Sequence, residues 1–420
     1  MERESERSSR FNVYLPEDGG KPAVWNAYTD ELLSLEPCVY EALKANALDN
    51  LTSAQRERLW ASGFLAPAGL DEYQQLSEDD QRFAELSPQY YQIFVTTACN
   101  ARCAYCYEKG IRGACMDERT AEQTARYIIQ RYAANTARTP VSIEWFGGEP
   151  TLNPQAISHI SDRLQEAGVL FSSSCCTNGI LLNRPMVLEA KQLWALSRVQ
   201  ITVDGAYARY AAIKGVPEDT FERVLANIDT WLAHDISVSV RINYTGDTEA
   251  AQELIQALHA RYPGGWERLR VYIAPLYESC KAISRATMSA VLSLSQRLVS
   301  VGLASAKSVY RLPRRQVRCM AATINGHTIA PDGGIYNCAH CVRDGGRVGS
   351  VWDEDERSAA REQFLAPMFP DACRSCALLP VCRGGCRAAE LGMAPIQQCH
   401  PYKNVLDLVL RERLQWMQTN

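Results

Sequence analysis

Within residues 99–110, CNARCAYCYEKG, three cysteines fall as Cys99-x3-Cys103-x2-Cys106. Thiolates packed this closely bind metal or pair as disulfides. A structural zinc site closes with four ligands, a cubane iron–sulfur cluster takes four, and disulfides need an even number. Three thiols suit a cubane whose remaining iron stays open to a substrate or cofactor. A zinc knuckle is the competing reading of this spacing.

A second array follows far down the chain: Cys319-x13-Gly333-x4-Cys338, then Cys373-x2-Cys376-x5-Cys382-x3-Cys386, and finally Cys399. Cys341 stands three residues after Cys338 and brings the set to eight thiols, enough for two four-ligand clusters. A zinc ribbon on Cys373 and Cys376 leaves the other thiols unexplained. The remaining cysteines, at 38, 115, 175, 176 and 280, read as small apolar residues. Cys175 and Cys176 fit strand core or barrel lining, Cys38 fits a helix core, and Cys115 and Cys280 fall near loops at strand ends.

The composition supports metal binding over cross-linking. Sixteen cysteines in 420 residues accompany a net charge of −4 and a pI near 6.0, which leaves no electrostatic footprint for nucleic acid. No apolar run approaches the length that crosses a bilayer, and the charged opening MERESERSSR leads into no apolar stretch of the kind a secretory signal needs. The expectation is a cytoplasmic protein, without nucleic-acid or membrane partners. In such a reducing compartment clustered thiols bind metal more often than they cross-link. The six histidines are scattered, none at helical metal-ligand spacing.

The elements that must carry these residues can be read from hydrophobic periodicity. From about residue 90, strand-like runs at 90–97, 141–146, 169–175, 199–203, 236–244 and 269–274 alternate with helical patterns near 118–133, 154–167, 184–194, 219–233 and 248–261. Strands alternating with helices predict a parallel sheet with right-handed crossovers, and six units make a partial barrel. The cysteine triplet follows the first of these strands, where α/β architectures place their reactive loops. Ahead of this array, 11–28 reads as a hairpin and 37–46, 53–62 and 71–86 as helices, the second capped by Thr52 or Ser53 and stopped by Gly63. Helices near 284–302 and 403–417 bracket the cysteine-rich end.

These motifs together resemble the radical S-adenosylmethionine (SAM) enzymes with a C-terminal SPASM domain, of the kind that mature ribosomally made peptides by thioether formation (sactipeptide and ranthipeptide types). In that family the C-x3-C-x2-C cluster holds the amino and carboxylate groups of SAM at its open iron and generates a 5′-deoxyadenosyl radical. Tyr105 matches an aromatic near the adenine. Gly147-Gly148-Glu149-Pro150, ending the second strand, is similar to the GGEP motif, whose backbone and acid hold the SAM amino group. Thr177-Asn178-Gly179 resembles the TNG of the third strand, and Thr202-Val203-Asp204-Gly205 the S-x-D-G of the fourth, with a threonine in place of the serine. The HD-x-x-R pattern that normally follows is absent, and Lys214 and Arg241 are the candidates to meet the SAM carboxylate.

The resemblance implies an α/β fold built of a partial (β/α)6 barrel, a small α+β winged-helix-like leader-binding module before it and a cysteine-rich SPASM domain after it. The corresponding boundaries are 1–86, 87–280, a helical linker at 281–318, and 319–420. It implies three [4Fe–4S] clusters, with Cys319, Cys338 and Cys386 on the first auxiliary cluster and Cys373, Cys376, Cys382 and Cys399 on the second. Cys341 completes the first, or its iron stays open to a substrate thiolate. The implied partners are a precursor peptide with a leader and an electron donor such as flavodoxin or ferredoxin. Carbon–carbon or ether crosslinking, epimerisation and formylglycine formation on sulfatases are the enzymatic alternatives. Formylglycine formers carry an Asp after the cysteine matching Cys338, where this chain has Ala339. An iron–sulfur electron carrier is the non-enzymatic alternative, and it has no use for GGEP and TNG at successive strand ends.

Overall fold

Six apolar runs between residues 90 and 275 pair side by side in chain order. In the computed structural model, which describes all residues except 1–4, 19, 107, 112, 136–138, 277–281, 313–314, 316–317, 343–345, 354–357, 366–368, 395–396 and 420, an N-terminal module comes first. It comprises β1 (Glu6–Ser8), β2 (Asn12–Leu15), β3 (Ala23–Asn26), β4 (Leu32–Ser34), α1 (Pro37–Lys44), α2 (Ser53–Ala61), β5 (Leu65–Pro67) and α3 (Glu72–Leu86). The array follows as β6 (Tyr90–Thr96), α4 (Glu118–Ala134), β7 (Val141–Gly147), α5 (Pro154–Glu166), β8 (Phe171–Thr177), α6 (Arg184–Gln192) and β9 (Leu196–Thr202). It continues with α7 (Tyr207–Lys214), α8 (Thr220–Ala233), β10 (Ser237–Tyr244), α9 (Thr248–Arg261) and β11 (Leu269–Pro275).

Strands β6 to β11 lie in sequential parallel order, as the expected six-unit partial barrel requires. Their alternate residues divide the labour. Tyr91, Ile93, Ile143, Trp145, Val199, Ile201, Val240 and Val271 face the helices in one large buried core. The residues between them, among them Gln92, Glu144, Ser174, Gln200, Ser239 and Tyr272, are only partly buried on the opposite, inner face. Period-two alternation thus survives in a parallel sheet, where both faces are usually apolar.

The C-terminal region contains α10 (Arg285–Ser300), α11 (Ala306–Tyr310), β12 (Gly326–Ile329), β13 (Gly334–Tyr336), β14 (Arg347–Ser350) and the short helices α12 (Ala359–Leu365), α13 (Leu379–Cys382) and α14 (Arg387–Glu390), before α15 (Leu406–Thr419). β12 joins the free side of β6 in parallel, with Gly326 opposite Tyr90, and β13 and β14 follow antiparallel to make nine strands. The cysteine-rich segment is therefore continuous with the barrel sheet.

The hairpin read at 11–28 is β2–β3, and β4 adds a third strand. One face of this sheet packs Val24 against Val39, Leu43 and Leu59. The other packs Phe11, Leu15, Trp25 and Leu32 against Leu76 of α3, Leu406 and Leu410 of α15, and Phe369 and Leu379, with Cys373 and Cys376 alongside. Arg413 of α15 locks the contact through a 2.6 Å bond to Asp30. Thr52 is the cap of α2, in a capping box with Gln55. Cys38 departs from expectation. It is exposed, because Val39, Tyr40 and Leu43 form the buried stripe of α1 and position 38 turns away from it.

Candidate active site at the strand ends

The thiol triplet sits on a loop closed at its base. Thr97 N–H donates to the Ala114 carbonyl at 2.8 Å and the Ala114 N–H returns a bond to Thr97 Oγ1 at 2.8 Å. Thr96 Oγ1 donates to the same Ala114 carbonyl, 2.9 Å away, and stands 3.1 Å from Cys115 Sγ. Exposed Cys115 thus belongs to the loop's base. Cys280 lies outside the described residues. Ala101 N–H points at Cys99 Sγ, 3.4 Å away, and Asn178 Nδ2 at 3.9 Å. Burial, with help from Glu149 and from Cys103 and Cys106, pushes the Cys99 thiol up to about 11.

GGEP holds this loop by backbone contact. Gly148 N–H donates to the Thr96 carbonyl at 3.1 Å and Glu149 N–H to the Ala98 carbonyl at 2.8 Å. A Cβ on Gly148 would stand 2.3 Å from Ala98 O, so glycine is required by close approach. The Glu149 side chain is fully buried. Its carboxylate accepts from Thr151 N–H (3.2 Å), Thr151 Oγ1 (2.5 Å), Thr177 Oγ1 (2.6 Å) and Asn178 N–H (2.7 Å). The acid expected to meet the SAM amino group is engaged by protein donors, and ties the end of β7 to the end of β8. Burial pushes its carboxyl above the ordinary range, against those four bonds. Asn178 then reaches back, its Nδ2 donating to Asn100 Oδ1 at 2.6 Å.

A trio built on a buried ion pair pins the other side of the loop. Asp204, just past β9, accepts from the Asn243 N–H at 2.9 Å and from the Tyr105 hydroxyl. Lys214 Nζ stands 3.0 Å from Asp204 Oδ2 and 2.8 Å from the Tyr105 hydroxyl, and Arg102 N–H donates to the Lys214 carbonyl at 2.7 Å. Lys214, a candidate for the SAM carboxylate, is instead enclosed against Asp204, with the two side chains 3% and 0% exposed. Thr202 ends β9 with its side chain half-buried on the inner face. Arg241, opposite Thr202 on β10, donates from Nε to Asn243 Oδ1 at 2.9 Å and stands apart from the trio.

The C-terminal thiols fall into two sets. Cys338 Sγ and Cys341 Sγ are 3.5 Å apart, and the hydrogen bond between them, then burial, raises Cys338. Both pack with Cys386 against Phe364 and Ala388. Burial, and the neighbouring Cys338 and Cys319, raise Cys386. In the other set, burial and then Cys382, Cys376 and Cys399 push Cys373 up to about 11. Among the described residues no three of these side chains converge on one point as the ligands of a single ion do. Each thiolate of a cubane binds a different iron, so sulfurs spread around a cluster-sized space are what such a group fits, and soft thiolates pointed at by N–H donors are its usual donor set.

Sequence reading missed Thr151 and Thr177 as the donors that occupy Glu149, and the burial of Lys214. The Thr before Asn178-Gly179 was the available sign of the first; nothing marks the second.

Residues 93–259 match the family model of the radical SAM superfamily. The chain carries a radical SAM domain. That superfamily uses SAM with a [4Fe–4S] cluster. The serine-type anaerobic sulfatase-maturating enzyme of Klebsiella aerogenes is 23% identical over 326 residues, covering 69% of this chain and 77% of that protein. Mycofactocin maturase MftC of Mycobacterium tuberculosis is 26% identical over 315 residues, covering 70% and 77%. The crystal structure of Streptococcus suis SuiB bound to precursor peptide SuiA superposes with a TM-score of 0.54 at 14% identity, over 95% of this chain and all of that one. The common fold therefore includes the N-terminal module and the C-terminal region as well as the radical SAM domain. Among the described residues no helix is long and apolar enough to cross a membrane.

Proposed function

We propose that this radical SAM enzyme matures a ribosomally made precursor peptide, joining a Cys thiol of the peptide to a carbon of another residue as a thioether. The observation that carries the reading is the grouping of the C-terminal thiols: Cys338 stands 3.5 Å from Cys341, Cys386 neighbours Cys338 and Cys319, and Cys373 neighbours Cys382, Cys376 and Cys399, which we read as two cluster quartets. Two quartets beside the triplet Cys99, Cys103 and Cys106 call for three [4Fe–4S] clusters. When bound, SAM and its cluster supply a 5′-deoxyadenosyl radical that takes a hydrogen atom, and the auxiliary clusters supply a sink for the electron left after the thiol gives up its proton.

The chain's own part is to bind and orient. The Gly147–Glu149 backbone lies bare against the cysteine loop, and Asn178 spans from Glu149 to Cys99. Tyr105 is fixed by Asp204 and Lys214, which leaves Thr202 and Arg241 on the inner face as the groups for the polar end of SAM. The N-terminal sheet has both faces buried, so the leader of a precursor is proposed to add at a strand edge. Electrons are proposed to arrive from a flavodoxin or ferredoxin.

Likeness to the sulfatase-maturating enzyme favours a second reading, formylglycine formation. Against it, Ala339 packs by Phe94 and Ala330 where those enzymes carry an aspartate base. Co-expression with peptides encoded beside the gene, followed by mass spectrometry, tests the proposal. A loss of two hydrogens with the Cys blocked to alkylation supports the thioether; the same loss with a free thiol refutes it.

A further inference from the structure

The inner face of the barrel continues well beneath the cysteine loop. Registered neighbours place Glu144, Ser174, Arg198 and Ser237 on one inward rung, and Cys176, Gln200, Ser239 and Arg270 on the next. Glu144, Ser174, Arg198, Gln200, Ser239 and Arg270 line a cavity of about 270 Å³. At roughly 30 Å³ per water, that is room for one long side chain in place of about nine waters.

Its charges are unequal. The one carboxylate, Glu144, is drawn toward β6, where its Oε2 accepts from Tyr90 at 2.7 Å and Gln92 at 2.8 Å. Gln200 is likewise occupied, accepting from the Tyr272 hydroxyl at 2.8 Å. Arg198 and Arg270 have no such partner: among the described residues no ion pair joins either guanidinium to a carboxylate, and Arg270 does no more than overlie the Tyr272 ring. Arg198 and Arg270 both line this cavity, and guanidiniums without a carboxylate partner suit a carboxylate, which accepts several N–H bonds at once.

We infer that this cavity is a subsite for a carboxylate of the peptide substrate, bound by Arg198 and Arg270 beneath the cysteine loop. The inference rests on the peptide-maturase reading and deepens it. Ser174, on the lower rung of β8, lies four residues before Asn178, just past that strand's end, roughly 13 Å at about 3.3 Å per residue. No single acidic side chain spans that distance, so the anchored residue and the attacked residue are different positions of the substrate. The subsite sets which residue is presented, by fixing a neighbour.

The carboxylate comes from an Asp or Glu side chain or from the peptide's C-terminus, and small probes separate the two. N-acetylglutamate α-amide carries only a side-chain acid, N-acetylglycine only a terminal one, and N-acetylglutamine amide neither. Binding to the full-length, cluster-loaded protein is read by saturation-transfer NMR, without turnover. At least one acid is expected to bind, with the neutral amide at least tenfold weaker. The R198Q/R270Q variant should lose at least tenfold in the affinity for that acid, and R198K/R270K, which keeps both charges, should lose less. Both arginines are exposed at the lower rim, so the substitutions leave the core intact. Failure of both acids to bind, or equal binding to native and R198Q/R270Q protein, overturns the inference. Failure of the maturase reading shows separately, as no mass change in any precursor peptide.

Discussion

Replacing Lys214 by Met tests the trio that pins the cysteine loop. Met keeps most of the apolar stem, so the change removes a charge that lies 3.0 Å from Asp204 and 2.8 Å from the Tyr105 hydroxyl. Asp204 is then left buried without its counter-ion. Breaking a buried pair from one side costs about 3–5 kcal/mol, and the Asn243 N–H and Tyr105 hydroxyl that still serve Asp204 place the loss near the lower bound. At about 2–4 °C per kcal/mol for a domain of this size, the melting temperature should fall by roughly 6–12 °C. Burial alone would lower the Lys214 pKa, but Asp204 and its other neighbours outweigh burial and hold it raised. Its stabilising share is therefore full below the ordinary lysine pKa and fades as pH climbs through the higher folded value. Tyr105 lies between Cys103 and Cys106, so its release displaces two thiols, and SAM cleavage should drop by about 10²-fold, as a displacement of about 1 Å can produce. Circular-dichroism melts and 5′-deoxyadenosine release measure the two effects. The variant Lys214→Met with Asp204→Asn removes both charges and should recover most of the melting temperature. A Lys214→Met shift under 2 °C, or a double variant that melts at the sum of both losses, refutes the idea of a buried, interdependent unit.

Glu149→Gln replaces one of the two acceptor oxygens that receive four bonds with an NH2 group, and should cost about 1–3 kcal/mol by leaving a buried donor unmet; urea unfolding with an unchanged midpoint would contradict the bracing role. Iron analysis of the reconstituted native protein should find about twelve irons per chain, three cubanes of four. Cys382→Ala should lose about four while SAM cleavage persists, and Cys103→Ala should abolish cleavage; zinc with four or fewer irons rejects the three-cluster account. Burial lifts the Asp80 carboxyl from 3.8 to about 6, against the pull of Arg383. Its favourable share is thus complete below 3.8 and lost as pH rises through 6. Asp80→Asn should therefore gain stability at pH 7.5, by at most ~3 kcal/mol for two units at about 1.36 each, less what Arg383 gives up. The gain should vanish below pH 4 in denaturant titrations of the metal-free protein.

The thiol spacings and the strand-end motifs are legible in the sequence because each is local: a few residues of fixed type after an apolar run. The six parallel strands are legible for the same reason, their helix-facing residues being strongly apolar. What is hidden is non-local or depends on neighbours. β12 pairs with β6 across most of the chain, and HTI among polar residues carries no sign of that partner. α7, whose YARYAAIK has no clear apolar stripe, escapes periodicity, yet the Lys214-Gly215 end is a left-handed cap with φ of 62° and offered a local signal. The burial of Lys214 has no signal of its own, since a lone lysine reads as solvated until its acid is placed beside it. Cys38 misleads through type alone; cysteine is commonly buried, but the stripe of α1 decides and passes it by.

Register decides what this barrel can do. Successive side chains on a strand point to opposite faces, so a slip of one residue in β10 would turn Arg241 into the helix-side core and bring Val240 or Ile242 into the lumen. Such a slip is costly twice over. It would bury a guanidinium among Val199, Ile201 and Val271, and it would take Asn243 from the Asp204 carboxylate, which accepts its N–H at 2.9 Å. That bond sits at the top of the strand, beside the trio of Asp204, Lys214 and Tyr105, while Val238 and Val240 fix the same register from the core side. The side chains that orient the cysteine loop therefore also hold Ser239 and Arg241 inward, and the chemistry of the lumen is set by the same contacts that stabilise the sheet.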